Sequence, residues 1–336
     1  MSQETSTSTP VTPAVEGRSI AVTGSSGFLG GELIRRLNRL KGVNRLVSID
    51  VRKPSVNFKK LRTHRVDLTE PAADAKLAKV LAKEKCDTLI HTAFLSGPTT
   101  SATFAHELES IGTMQVLHAC AEQQIRKIIF ASTTMVYGAQ ATNPNYLTEE
   151  HTLRGDRSDR FIRDRIEVEE MVKSFRSKQK ETVVTVLRPC WVMGPTVDNF
   201  VTRFFGRPVV ATLLGYDHLL QFVHEDDLFD ALEIVIEKDR PGVYNIVGTG
   251  VLPLSTLLRL AGKISLPILH VAAYPLANLL WASRLGDAPA TLLDYIRYIW
   301  VADGTKAKLE LGFEAKYSTK EAWMAFIGSR RLRRYV

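Results

Sequence analysis

Thr23-Gly24-Ser25-Ser26-Gly27-Phe28-Leu29-Gly30 decides the fold of this 336-residue chain. It follows an apolar run, Ser19-Ile20-Ala21-Val22, that reads as a buried strand. It opens a segment over 28–40 whose apolar residues (Phe28, Leu29, Leu33, Ile34, Leu37, Leu40) recur at helical spacing. A strand, a glycine turn and a helix in that order make an anion site from main-chain amides, because helix N-terminal N–H groups point outward and glycines let a ligand come close. Gly24 permits the tight turn, Gly27 lets backbone meet a pyrophosphate, and Gly30 lets helix and strand pack. The second strand, over 45–50, ends in an acid, Asp50, at the separation from the glycines that a dinucleotide-binding unit requires. A carboxylate there accepts hydrogen bonds from ribose hydroxyls and repels a 2′-phosphate, which favours NAD over NADP. Arg52, two residues on, is the feature that points toward NADP.

Outward from this turn, strands and helices alternate. Further strands are expected near 65–67 and over 88–91, 127–131 and 182–187, with helices over 72–85, 103–124 and 158–177. The strands are apolar throughout rather than on one face, which predicts an α/β fold, a Rossmann-type doubly wound parallel sheet covered by helices on both sides. Beyond Arg188, prolines break the rhythm into a smaller substrate lobe over 191–330, with segments near 220–248 returning to the cofactor half (18–190) and one strand over 243–247 rejoining the sheet. Residues 1–17 form a polar Ser/Thr/Pro tract expected to be disordered.

Composition sets the outer bounds. Hydrophobic residues make up 45% and charged residues 24% of the chain, values of a globular protein. The three widely spaced cysteines, Cys86, Cys120 and Cys190, read as free thiols of a reducing compartment. With no apolar leader pattern, the expectation is cytoplasmic. The net charge of +8 is dispersed among acids, so nucleic acid is not an expected partner. Two features keep peripheral membrane contact open: the basic tail over 330–336 and the very apolar stretch 266–283, which otherwise reads as helices of the second lobe. That stretch is too short and too interrupted for a membrane span. No pair of histidines has metal-ligand spacing, so no metal is expected.

The chain resembles the extended short-chain dehydrogenase/reductase family, the NAD-dependent epimerase/dehydratase group. Its landmarks are the glycine turn; Asp67-Leu68, which the resemblance places near adenine; His91-Thr92-Ala93; Ser132-Thr133-Thr134-Met135-Val136-Tyr137-Gly138; Leu187-Arg188-Pro189; Gln221-Phe222-Val223-His224-Glu225-Asp226-Asp227; and Val243-Tyr244-Asn245-Ile246. The resemblance implies a cofactor site of Gly24, Ser26, Gly27, Phe28, Leu29, Asp50, Asp67, Leu68 and Ala93, a small-molecule substrate such as a nucleotide sugar, and a homodimer built on a helix pair. It also implies a catalytic Ser or Thr, here Thr133, and a Tyr with a Lys four residues later. Those last two slots hold Phe161 and Arg165, and no Tyr-x-x-x-Lys occurs anywhere in the chain. Glu109 stands where the family has a helix asparagine. Phenylalanine has no proton to exchange. Arginine keeps a charge and donors for the nicotinamide ribose, but it does not deprotonate in a protein.

Glu109, Tyr137, His91 and Asp164 are candidate substitutes, each with a plainer role: Tyr137 and His91 in the core or against cofactor, Asp164 in a surface ion pair, Glu109 at a buried polar contact. His224 and Asp226 read as structural. Two functions stay open: an epimerase/dehydratase with a non-standard centre, and a non-catalytic NAD-occupied sensor or scaffold.

Overall fold

The computed structural model describes residues 17–332, so residues 1–16 of the expected disordered tail and the last four residues of the basic tail lie outside the described residues. In chain order the first part contains β1 (Arg18–Thr23), α1 (Phe28–Leu37), β2 (Val43–Asp50), β3 (Leu61–Arg65), α2 (Ala73–Lys83), β4 (Thr88–His91), α3 (Ala102–His106), a π turn (Glu107–Ile111), α4 (Gly112–Glu122), β5 (Lys127–Ala131), α5 (Arg160–Lys178) and β6 (Val183–Pro189). The remainder contains β7 (Trp191–Met193), α6 (Phe200–Gly206), β8 (Val209–Leu213), β9 (Leu219–Leu220), β10 (Phe222–His224), α7 (Glu225–Glu237), β11 (Gly242–Ile246), β12 (Leu252–Pro253), α8 (Leu254–Leu260), β13 (Ile264–Ile268), α9 (His270–Ala282) and α10 (Thr319–Leu332).

Seven strands form one sheet in the order β11-β6-β5-β4-β1-β2-β3, and every pairing in it is parallel. Period-two alternation divides its side chains between two cores. Ile20, Val22, Ile90, Ile129 and Leu187 face α1 and α7. Ala21, Leu89, Ile128, Phe130 and Val186 face α2, α4 and α5. The strand order reverses between β1 and β4, and in such sheets a crevice for a dinucleotide opens there, beyond the carboxyl ends of the strands. A third core, rich in aromatics (Trp191, Phe205, Phe222, Trp300, Trp323), holds the C-terminal elements together.

The structure corrects several sequence expectations. The third strand is Leu61–Arg65, so Asp67 lies beyond its end rather than closing it. The first helix stops at Leu37, with Asn38 as its cap, three residues short of the periodic pattern. The expected single helix over 103–124 is interrupted by the π turn, a one-residue expansion that leaves the apolar spacing nearly unchanged and is therefore invisible to it. Of the segments near 220–248, Phe222–His224 pairs with Trp191–Met193 outside the main sheet, while Gly242–Ile246 joins β6 as its edge. The stretch 266–283 is not all helix: its first residues continue β13, which pairs in parallel with β8. All three cysteines are free. Among the described residues, no helix is long and apolar enough to cross a membrane.

Candidate active site

The glycine turn has its shape because nothing larger fits. Gly24 sits at φ +69°, and a Cβ on it would lie 2.5 Å from Ala93 Cα. A Cβ on Gly30 would lie 2.4 Å from the carbonyl oxygen of Gly24. Both distances are far inside contact, so the turn is pressed against the end of β4 and α1 is pressed against the turn. Gly27 caps α1 with no side-chain hydrogen bond, and the first turn carries no acid. Its amides are thus aimed at whatever anion occupies the crevice. Asp50 closes the other side: its Oδ2 accepts from the Ser26 N–H at 2.9 Å and its Oδ1 from the Arg52 N–H at 3.1 Å. A cavity of about 470 Å³ runs along this wall, lined by Ser26, Gly27, Phe28, Arg35, Arg52 and Lys53 among others. Asp67 is half-buried and holds its own turn through Thr69. Leu68 is buried, and its carbonyl accepts from Gln115. The phosphate cradle and the acid beside it fit a dinucleotide.

The opposite end of the crevice is built differently. Arg165, on α5, is buried, and its Nε lies 3.0 Å from Oε2 of the equally buried Glu109. Its Nη2 donates to the Leu95 carbonyl at 2.8 Å and to Glu109 Oε1 at 3.2 Å. Glu109 Oε1 in turn accepts from the Leu95 N–H at 2.9 Å. The guanidinium stands 4.5 Å from the ring centre of Phe94 and 5.2 Å from that of Phe161, within cation–π range of both. Burial pushes the Glu109 carboxyl above the usual carboxylate range, with the Arg165 charge pulling against it. The two substitutions read separately from the sequence are therefore partners: the added negative charge of Glu109 meets a cation whose charge cannot be shed.

Glu109 belongs to the π turn, an element that recurs at functional sites. A cleft of about 470 Å³ adjoins the pair, walled by Leu95, Glu109, Asp159, Phe161, Trp281 and Arg284 among others. Thr133 follows β5 and caps a short 3₁₀ turn, its hydroxyl accepting from the Met135 N–H at 3.2 Å. The structure thus joins Phe161, Arg165 and Glu109 directly, while Thr133 stands on a separate element.

The other candidate acids and bases are occupied. The Tyr137 hydroxyl donates to Asn245 Oδ1 at 2.8 Å and accepts from Arg188 Nη1 at 2.7 Å; burial pushes its pKa up to about 12. Arg188 also pairs with Glu169, so three sequence landmarks share one buried network. His91 is fully buried between Thr23 Oγ1 (2.7 Å) and Thr113 Oγ1 (2.9 Å), and burial with the Arg165 charge lowers its pKa to about 3. Asp164 is in an ion pair but is itself buried rather than at the surface: its Oδ1 lies 3.2 Å from His106 Nδ1 and 3.5 Å from Arg163 Nη2. His106, Asp164 and Glu167 bring ligand atoms within 4.8 Å of one another, but the His106–Asp164 contact and the bond from Ser110 Oγ to Glu167 already engage them. His224 caps α7 and Asp226 pairs with Arg36, both structural as expected.

Phe94 and Asp159 belong to the candidate site and were not singled out in the sequence reading. Phe94 directly follows the His91-Thr92-Ala93 landmark, a usable signal. Asp159 caps α5 through the Ile162 N–H, and burial raises its pKa. An acid two residues before the first apolar residue of a helix is a cap signature that was available.

A sequence model of the NAD dependent epimerase/dehydratase family matches residues 20–247, and the chain belongs to that family. An uncharacterized protein of Mycobacterium tuberculosis is 31% identical over 320 residues, covering 93% of this chain and 84% of its own length. UDP-glucose 4-epimerase 1 of Oryza sativa subsp. japonica is 24% identical over 351 residues, 90% of this chain and 92% of that protein. Among solved structures, UDP-glucose 4-epimerase of Thermotoga maritima with UDP-glucose superposes with a TM-score of 0.69 at 19% identity, covering 94% of this chain and 99% of the other. The dTDP-glucose 4,6-dehydratase of Bacillus anthracis in complex with NAD gives 0.70 at 16% identity, over 95% and 98%. These likenesses establish the fold, and NAD is the cofactor of the family.

Proposed function

We propose that the protein binds NAD and acts on a polar small molecule of the nucleotide-sugar class through a centre that lacks the Tyr–Lys pair. The observation that carries this reading is a complete glycine–Asp50 cradle beside a cleft whose proton-transfer slots hold Phe161 and an Arg165 clamped by Glu109. When bound, NAD supplies a hydride acceptor. The amides of α1 would hold its phosphates, Asp50 the adenosine ribose, and Arg165 the nicotinamide ribose. Thr133 would hydrogen-bond a substrate oxygen, and the elements over 191–330 would select the ligand. Similarity to UDP-glucose 4-epimerases supports the substrate class. A positioned acid or base is worth about 10² to 10⁴ in rate, so turnover is slow in proportion. The Glu109 clamp also favours a second reading, a non-catalytic NAD-occupied sensor or scaffold, because it binds Arg165 to the protein itself.

The test mixes the NAD-loaded protein with UDP-glucose and follows reduction of the bound nicotinamide by its near-ultraviolet absorbance. Slow reduction is expected in the natural protein, with a rise of roughly 100-fold or more in a Phe161→Tyr/Arg165→Lys/Glu109→Asn variant. No reduction in either protein, with NAD still bound in both, would reject the sugar reading and leave the sensor.

A further inference from the structure

The stretch 264–283 contains no Asp, Glu, Lys or Arg, and it is bracketed by Lys263 and Arg284. A helix apolar on all sides is ordinarily buried in a core. Here only Ala273 of α9 is buried. Val271 is 68% exposed and Leu279 66%, two positions that lie with Pro275 at four-residue steps along one outer stripe. The exposed surface continues through Leu269 onto Ile264 and Leu266 of β13 and past the helix to Leu285. Beneath α9 lies an apolar cavity of about 160 Å³, lined by Leu276, Leu280 and the aromatic residues of α6, so the helix is not drawn inward by close packing. Contiguous apolar surface of this kind marks an interaction site.

The charges around it indicate what it meets. Lys263 Nζ donates to the Arg207 carbonyl at 2.7 Å, Arg331 Nη2 donates to the Ala261 carbonyl at 3.0 Å, and the Arg330 guanidinium packs over Gly206. Arg207, Lys263, Arg330 and Arg331 therefore gather at the foot of β8 and β13, with Asp287 paired to Arg207, while the exposed Arg284 stands at the far end of α9. Two copies meeting face to face through this patch would set cationic ends against cationic ends, since a two-fold contact uses the same surface twice. An anionic bilayer matches both properties, taking the apolar stripe into its interface and the cations at its headgroups.

We propose that α9, β13 and their cationic rim dock the protein on an anionic lipid bilayer. This goes beyond the redox reading and needs no turnover to be tested. The full chain is sedimented with vesicles of phosphatidylcholine alone and with phosphatidylglycerol mixed in. Binding is expected to the mixed vesicles, to weaken as salt is added, and to fall about tenfold or more in a Val271→Glu/Leu279→Glu variant that keeps its NAD affinity and circular dichroism. Failure to bind the mixed vesicles, or equal binding by the variant, would overturn the proposal. So would a dimer in analytical ultracentrifugation that the same variant converts to monomer, because the patch would then belong to a second copy.

Discussion

At the adenosine end of the crevice, Gly24 and Gly30 sit where any Cβ would collide with backbone, and Asp50 reaches back to the turn. At the reaction end, three positions that the family resemblance assigns to proton transfer and support carry Phe161, Arg165 and Glu109, locked to one another. On the proposed reading, the contrast teaches that cofactor binding and proton transfer are separable in this fold. The first depends on main-chain geometry that tolerates no side chain. The second depends on a few side chains that can be exchanged together, provided that charge and volume balance.

The sharpest way to break the comparison is to remove one member of the clamp. Glu109→Gln leaves a buried guanidinium without its counter-charge, and stability is expected to fall by about 3–5 kcal/mol in denaturant titration while NAD affinity stays close to that of the natural protein. Replacing both partners, as Glu109→Gln/Arg165→Met, is expected to restore most of the loss. An unchanged stability in the single variant would mean that the clamp does not hold the reaction end together.

A smaller effect concerns His91, at the end of β4 between the two regions. Its native pKa of about 3 lies below the ordinary 6.5, so the unfolded chain takes up the proton first as pH falls. The neutral ring's full contribution is present above about pH 6.5 and declines progressively as pH falls toward 3. A His91→Gln variant is expected to show a shallower loss of stability between about pH 6 and pH 4 than the natural protein. Identical slopes would mean that this imidazole titrates normally in the folded state.

The legible part of this protein is the part governed by backbone. The glycine turn, Asp50 and the unbroken apolar strands each carry their meaning locally, and the seven-stranded sheet follows from them. Phe161, Arg165 and Glu109 stood out one by one against the family pattern. Their joining did not, because Glu109 and Arg165 are 56 residues apart and meet through a π turn that periodicity does not reveal. The surroundings of α9 were legible only as two alternatives, lobe helices or an interfacial surface. Apolar composition reads as core, and only tertiary structure shows that Val271 and Leu279 face outward.

Isothermal titration of the purified chain with NAD tests the central claim most directly. Saturable one-site binding is expected, weakened about tenfold in Asp50→Ala by loss of charge-assisted hydrogen bonds to ribose and unaltered in Phe161→Tyr. Absence of binding heat for NAD, in protein shown to be folded and free of retained nucleotide, would contradict it.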